Sequence, residues 1–137
     1  MKSIYAYLSF TGNCREAMEF YQKCLGGELT FQTIGETPLS EKLSSKMKKH
    51  ILHAELSNNN FVLMGSDIVR EKCFIQGNAF SLVLNCMNEN ELRSCYKKLS
   101  YGGEQTMQIE LNYWGALIGE LKDKFGNIWI LRYHKTN

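Results

Sequence analysis

A chain of 137 residues with 44% apolar side chains can bury a core without disulfide or metal staples and has the size of one ordinary domain. Sixteen basic against 14 acidic residues leave a formal charge of only +2, so no strong field draws the chain to nucleic acid or to an anionic membrane surface. The five cysteines are odd in number and contain no C-x-x-C pair; they read as reduced thiols rather than a disulfide framework, which points to a reducing compartment.

In chain order, Ile4–Phe10 is the first strand. It follows one lysine and is too short for a secretory signal with its cleavage site, and no later segment approaches a membrane span, so a cytoplasmic location is expected. Asn13 and Glu16 have the spacing of an N-cap and its N3 carboxylate. Ala17, Phe20, Tyr21, Cys24 and Leu25 then recur at helical spacing, and Gly26-Gly27 suits a left-handed C-cap. A second strand follows the glycines. Gly35–Lys49 holds the only proline, Pro38, and the basic run Lys46, Lys48 and Lys49; it reads as an inserted solvated loop or short helix. Ile51–Ser57 and Phe61–Gly65 form a hairpin across Asn58-Asn59-Asn60.

After a connection, Gly65–Gly77, the same order returns. Ala79–Cys86 is the opening strand, and Asn88 and Glu91 repeat the cap spacing before Leu92, Cys95, Tyr96 and Leu99. Gly102-Gly103-Glu104-Gln105-Thr106-Met107-Gln108 repeats Gly26-Gly27-Glu28-Leu29-Thr30-Phe31-Gln32 in register at Gly, Gly, Glu, Thr and Gln. Trp114–Lys122 and Asn127–Tyr133 then form a hairpin across Asp123–Gly126. The offset between the halves falls from about 76 to about 65 residues, as the Gly35–Lys49 insertion requires. Each half therefore reads strand, helix, strand, strand, strand. The predicted class is α+β, with two tandem βαβββ modules (1–66 and 78–137, linker 67–77) in one domain, their curved mixed sheets enclosing a pocket.

A helix covers one face of such a sheet, so strand alternation sorts the rest. Ile4, Ala6, Leu8 and Phe10, then Phe80, Leu82, Leu84 and Cys86, are assigned to the helix side, as are Leu52, Ala54, Leu56, Leu117 and Leu121. The opposite face receives Tyr5, Tyr7 and Ser9 from the first strand and His53 and Glu55 from the third. In the second half it receives Ser81, Val83, Asn85, Trp114, Ala116, Ile118 and Glu120. Val62, Met64, Ile128 and Ile130 from the last strands complete it, subject to reversal by a one-residue slip. His53, Glu55 and Glu120 are the candidate acid–base residues. The plainer alternative for His53 and Glu55 is a hydrogen-bonded pair closing a pocket wall. Trp114, Tyr5 and Tyr7 can stack on a planar ligand or pack as core. His50 and His134 are expected at the surface, and no cysteine has an identifiable base partner.

Several strings carry a family resemblance: Y-L-S-F-T-G-N-C-R-E-A-M-E-F-Y from Tyr7, L-G-G-E-L from Leu25, H-A-E-L from His53, L-M-G-S-D from Leu63, N-Y-W-G from Asn112 and D-K-F-G-N-I-W from Asp123. Over nearly its whole length the chain resembles the PhnB-like branch of the vicinal oxygen chelate superfamily, which includes glyoxalase I, extradiol dioxygenases and bleomycin-resistance proteins. The resemblance implies paired βαβββ modules in a glyoxalase-like domain, a homodimer and a small-molecule ligand. It also implies a site for an octahedral divalent ion, drawn from the first and last strands of each module. The matching positions, approximately Tyr5, Met64, Ser81 and Ile130, hold no good hard-metal ligand, so the usual metal site is expected to be absent and no cofactor is predicted. A divalent metal at a displaced site near His53, Glu55 and Glu120 is the alternative, and with it a lyase, isomerase or dioxygenase-like activity. The branch also carries a demethylubiquinone methyltransferase label; the sequence shows no strand followed by a glycine-rich nucleotide loop, and the label is not carried over.

Overall fold

The computed structural model describes residues 2–67 and 71–135. Of the linker expected at 67–77, residues 68–70 lie outside the described residues. The chain divides into two units, Met1–Ile75 and Gln76–Asn137, each built on a four-stranded mixed sheet. Among the described residues no helix is long and apolar enough to cross a membrane.

The first unit runs β1 (Ala6–Ser9), α1 (Cys14–Leu25), β2 (Glu28–Thr33), α2 (Ser45–Lys48), β3 (Ile51–Ser57) and β4 (Val62–Ser66). Its strand order is β1-β4-β3-β2, with β1 parallel to β4 and the other neighbours antiparallel. The insertion between β2 and β3 is a run of short helical turns, Ile34–Glu36, Pro38–Lys42 and α2. The second unit runs β5 (Leu82–Asn85), α3 (Glu89–Ser100), β6 (Glu104–Leu111), β7 (Ala116–Lys122) and β8 (Ile128–His134). Its order, β5-β8-β7-β6, repeats that of the first unit strand for strand.

Each helix packs on one face of its own sheet, α1 across β2, β3 and β4 and α3 across β6, β7 and β8. Cys14, Ala17, Met18 and Tyr21 are fully buried on α1, as are Leu92 and Leu99 on α3. Burial of each large apolar side chain contributes about 1.5–3 kcal/mol. Phe20, Leu25 and Cys95 are only half-buried. Gly65 and Gly119 let the helices approach. A Cβ at Gly65 would lie 3.2 Å from Cys14 Sγ, and one at Gly119 would lie 3.0 Å from Tyr96 Cε2.

The repeated glycine pairs divide two tasks. Gly26 and Gly102 take left-handed φ values of +76° and +77° as the chain leaves each helix, which an L side chain resists. Gly27 and Gly103 lie against the end of the neighbouring strand: a Cβ on Gly27 would come within 2.8 Å of Ser57 O, and one on Gly103 would strike Lys122 O.

Four assignments from alternation are corrected. Ile4 and Phe80, expected against the helices, are 98% and 91% exposed, because β1 and β5 begin only at Ala6 and Leu82. Leu52 is half-buried whereas Ile51 is fully buried. In the β2–β3 pairing Gln32 faces His53 but Thr33 faces Ile51, so Leu52 is the extra residue of a bulge and the alternation changes phase there. The equivalent Ala116 is also buried, at 3% exposure, rather than open as alternation from Glu120 suggested.

Candidate functional site

The face of the first sheet turned away from α1 carries a row in strand register. Tyr7 on β1 pairs with Met64 on β4, Met64 with Glu55 on β3, and Glu55 with Thr30 on β2. Two residues along each strand, the same face continues with Ser9 beside Ser66 and His53 beside Gln32. His53 Nε2 lies 3.8 Å from Glu55 Oε1, beyond hydrogen-bond reach; the pair is a long contact at a half-open surface rather than the hydrogen-bonded wall expected. Ser66 Oγ is fully buried and has no hydrogen-bond partner among the described residues.

The second sheet repeats the row. Val83 pairs with Ile130, Ile130 with Glu120, and Glu120 with Met107. Beyond it, Asn85 pairs with Arg132, Arg132 with Ile118 and Ile118 with Glu110. Thr106 Oγ1 donates to Glu120 Oε1 at 3.0 Å, which holds the carboxylate on this face. From the helix side Tyr96 donates its O–H to Met107 O at 2.8 Å, tying β6 to α3; burial raises the pKa of this phenol. β6 needs such a tie because it is an edge strand with two register shifts against β7.

Among the expected site residues, Tyr7, Met64 and Glu55 share the first row and Ile130 and Glu120 the second, with Ser9 and His53 one pair further along the first sheet. Tyr5 and Ser81 do not join them: both precede their strands, and the residues paired with Met64 and Ile130 are Tyr7 and Val83. Trp114 is not a strand residue. It lies in the turn between β6 and β7, 78% exposed, edge-on to Tyr113 with ring centroids 5.8 Å apart. Asn112 Oδ1 builds that turn by accepting from the Trp114 and Ala116 amides. His50 is half-buried and His134 exposed.

The donor chemistry of the two rows does not fit a hard divalent ion. Such an ion takes several oxygen or imidazole donors, whereas each row offers one carboxylate beside thioether, alkyl, phenol or hydroxyl groups. Among the described residues no three His, Cys, Asp or Glu side chains come together as a metal-holding group.

Two aspartates outside the expected site residues set the frame. Asp67 Oδ1 accepts from the Gly12 and Cys14 amides, and Oδ2 accepts from the Ile51 amide, at 2.9–3.0 Å. Asn13, the expected cap of α1, makes no side-chain capping bond. Asn88 does cap α3, accepting from the Glu91 amide at 2.8 Å. Asp123 accepts from the Phe125 and Asn127 amides and from Trp129 Nε1. The signal for Asp123 was its place at the head of D-K-F-G-N, an Asx-type turn; for Asp67 there was only its position after a strand end.

Residues 2–131 match the family described as 3-demethylubiquinone-9 3-methyltransferase. The chain belongs to this family. Protein YjdN of Escherichia coli K12 is 31% identical over 94% of this chain and 93% of its own. Among solved structures, protein PA1353 from Pseudomonas aeruginosa is 30% identical with a TM-score of 0.84, covering 99% of this chain and 100% of that one. The PhnB protein from Bacillus cereus is 25% identical with a TM-score of 0.78, covering 96% and 99%. The fold extends to a glyoxalase/bleomycin resistance protein/dioxygenase family enzyme from Burkholderia phytofirmans, at 12% identity and a TM-score of 0.66 over 96% and 97% of the two chains. This PhnB-like chain is thus an α+β protein of glyoxalase-like fold.

Proposed function

We propose that the chain is a cytoplasmic binding protein for a small, partly aromatic molecule, held without the superfamily's usual metal in a homodimer. The observation that carries this reading is the repeated row: in each sheet one carboxylate, Glu55 or Glu120, stands in strand register with apolar or aromatic neighbours on the face its helix leaves uncovered. Apolar area with a few fixed polar groups is what a small-molecule site needs, area for affinity and polarity for orientation. Tyr7 and Val83, 50% and 55% exposed, are aromatic and aliphatic surface that a ligand or a second copy would cover. The family's name refers to methyl transfer, but each sheet has only one parallel pair, β1–β4 or β5–β8, and among the described residues no strand leads into a helix through the G-x-G-x-x-G turn of a Rossmann-type nucleotide site.

The test is a thermal-shift screen of small aromatic compounds and antibiotics, with hits confirmed by calorimetry on wild type and on Glu55→Gln and Glu120→Gln. A hit whose affinity falls at least about tenfold in one variant, a loss of about 1.4 kcal/mol, supports the reading. A screen without hits, or hits indifferent to both changes, counts against it. Sedimentation tests the dimer.

A second reading, a lyase or isomerase, draws on the Thr106–Glu120 bond, which fixes a carboxylate as a general base requires. Its test is turnover of an identified ligand: if Glu55→Gln and Glu120→Gln leave turnover unchanged, the reading fails.

A further inference from the structure

Glu55 stands on the open face of the first sheet without a basic partner. None of the residues that strand register places on this face is a lysine or arginine. Among the described residues the one side chain within ion-pair distance of the carboxylate is His53, whose Nε2 is 3.8 Å away, too far for a hydrogen bond. The second sheet differs in two respects. Glu120 already accepts from Thr106 Oγ1, and Arg132, two residues along β8 from Ile130, brings a permanent cation to the same face.

Ser66 faces the same way as Glu55. A Cβ at Gly65 would meet Cys14 and Met18 of α1, so the next residue along β4 points away from the helix. Its hydroxyl is fully buried and has no hydrogen-bond partner among the described residues. Because Glu55 pairs with Met64, Ser66 is its diagonal neighbour across β3 and β4, and such neighbours are roughly 7–8 Å apart. A carboxylate and an unused hydroxyl at that separation leave room for one nitrogen to donate to both.

We propose, on the reading that this face binds a small molecule, that its first row takes a protonated amine carried on an apolar or aromatic body. The ammonium sits between Glu55 and Ser66, which both accept from it, and the charge-assisted bond to Glu55 supplies most of the preference. Tyr7, in register with Met64 and 50% exposed, offers its ring to the cation or to an aromatic body. The Met64 thioether adds adaptable apolar contact. A carboxylate or phosphate ligand would meet Glu55 with no lysine or arginine in register on the face to offset the repulsion, so this row disfavours anions.

The experiment titrates the full-length, isotope-labelled protein with phenethylamine, phenethyl alcohol and phenylacetate, which share an aromatic body and differ in charge, and reads backbone amide shifts. Phenethylamine is expected to move the amides of Tyr7, Glu55, Met64 and Ser66 and to bind at least about tenfold more tightly than the other two, the size of one charge-assisted hydrogen bond. Glu55→Gln should abolish that preference and Ser66→Ala should weaken the amine by about fivefold. Glu89→Gln, which removes a surface carboxylate of α3 paired with Arg93, should leave it unchanged. Equal or tighter binding of the alcohol or of phenylacetate on this face overturns the amine assignment while the small-molecule reading stands. Amine binding that survives Glu55→Gln, or shifts confined to other surfaces, overturns it as well. If none of the three moves this face, the amine assignment falls, and the broader reading then stands or falls with the thermal-shift screen.

Discussion

Asp67 caps the amide of Cys14, 53 residues before it in the chain, through a buried hydrogen bond of 3.0 Å. The same carboxylate takes the amides of Gly12 and Ile51, so one side chain fixes the start of α1 and the start of β3 together. Asp67→Ala leaves buried donors unpaired and is expected to cost on the order of 3 kcal/mol. Asn13→Ala should change stability by less than about 0.5 kcal/mol, whereas Asn88→Ala should cost about 1 kcal/mol. Urea midpoints of the three variants at unchanged slope check the ranking. Equal losses at Asn13 and Asn88 would contradict it.

The glycine pairs make a second contrast. Gly26→Ala meets no atom within 4 Å and bears only the strain of φ +76° with ψ −172°, a region essentially reserved for glycine, about 1–3 kcal/mol. Gly27→Ala bears a φ of +105° and the approach to Ser57 O as well, so it should be the more destabilising. Gly103→Ala, which would strike backbone, should behave like Gly27→Ala. Thermal unfolding of the three variants measures the order.

Alkaline pH acts on Cys14. Its thiol is raised from 9.0 to about 12 in the folded chain, so the fold favours the protonated form. Stability from this group is fully present below the unfolded value and is lost as pH rises from about 9 towards 12. Tyr96, raised in the same direction by burial, adds to the fall at its upper end. Denaturation midpoints measured across this range should decline in the wild type and decline less steeply in Cys14→Ala.

Trp114, displayed in the β6–β7 turn, separates core from ligand roles. Trp114→Ala should shift stability by no more than about 0.5 kcal/mol, since the ring is 78% exposed. Thr106→Ala removes the bond that orients Glu120 and should weaken a ligand that needs Glu120 without unfolding the chain. Calorimetric affinity and melting temperature, read together, check both.

The two βαβββ units were legible because the sequence states them twice: the Gly-Gly-Glu strings, the paired tyrosines Tyr21 and Tyr96, and both hairpins recur in register. The open-face positions of Tyr7, Glu55, Met64, Glu120 and Ile130 followed from alternation because their strands are regular there. Alternation failed at Leu52, where a bulge changes its phase, and at Ile4 and Phe80, which precede the paired strands. Trp114 was misplaced because apolar character alone does not separate a strand end from a turn, whereas Asn112 and Gly115, with φ +82°, carried the turn signal. Asp67 was beyond reach, since no local pattern announces a cap supplied from 53 residues away.

Under the proposed function, Glu55 and Glu120 each stand in a row that needs no metal to bind a molecule. The most direct measurement is elemental analysis of untagged protein purified without chelator, offered nickel, zinc, manganese and iron(II) in turn, and dialysed. Far less than one metal per chain is expected. A stoichiometric metal that is lost in Glu55→Gln or Glu120→Gln would contradict it and turn these carboxylates into ligands.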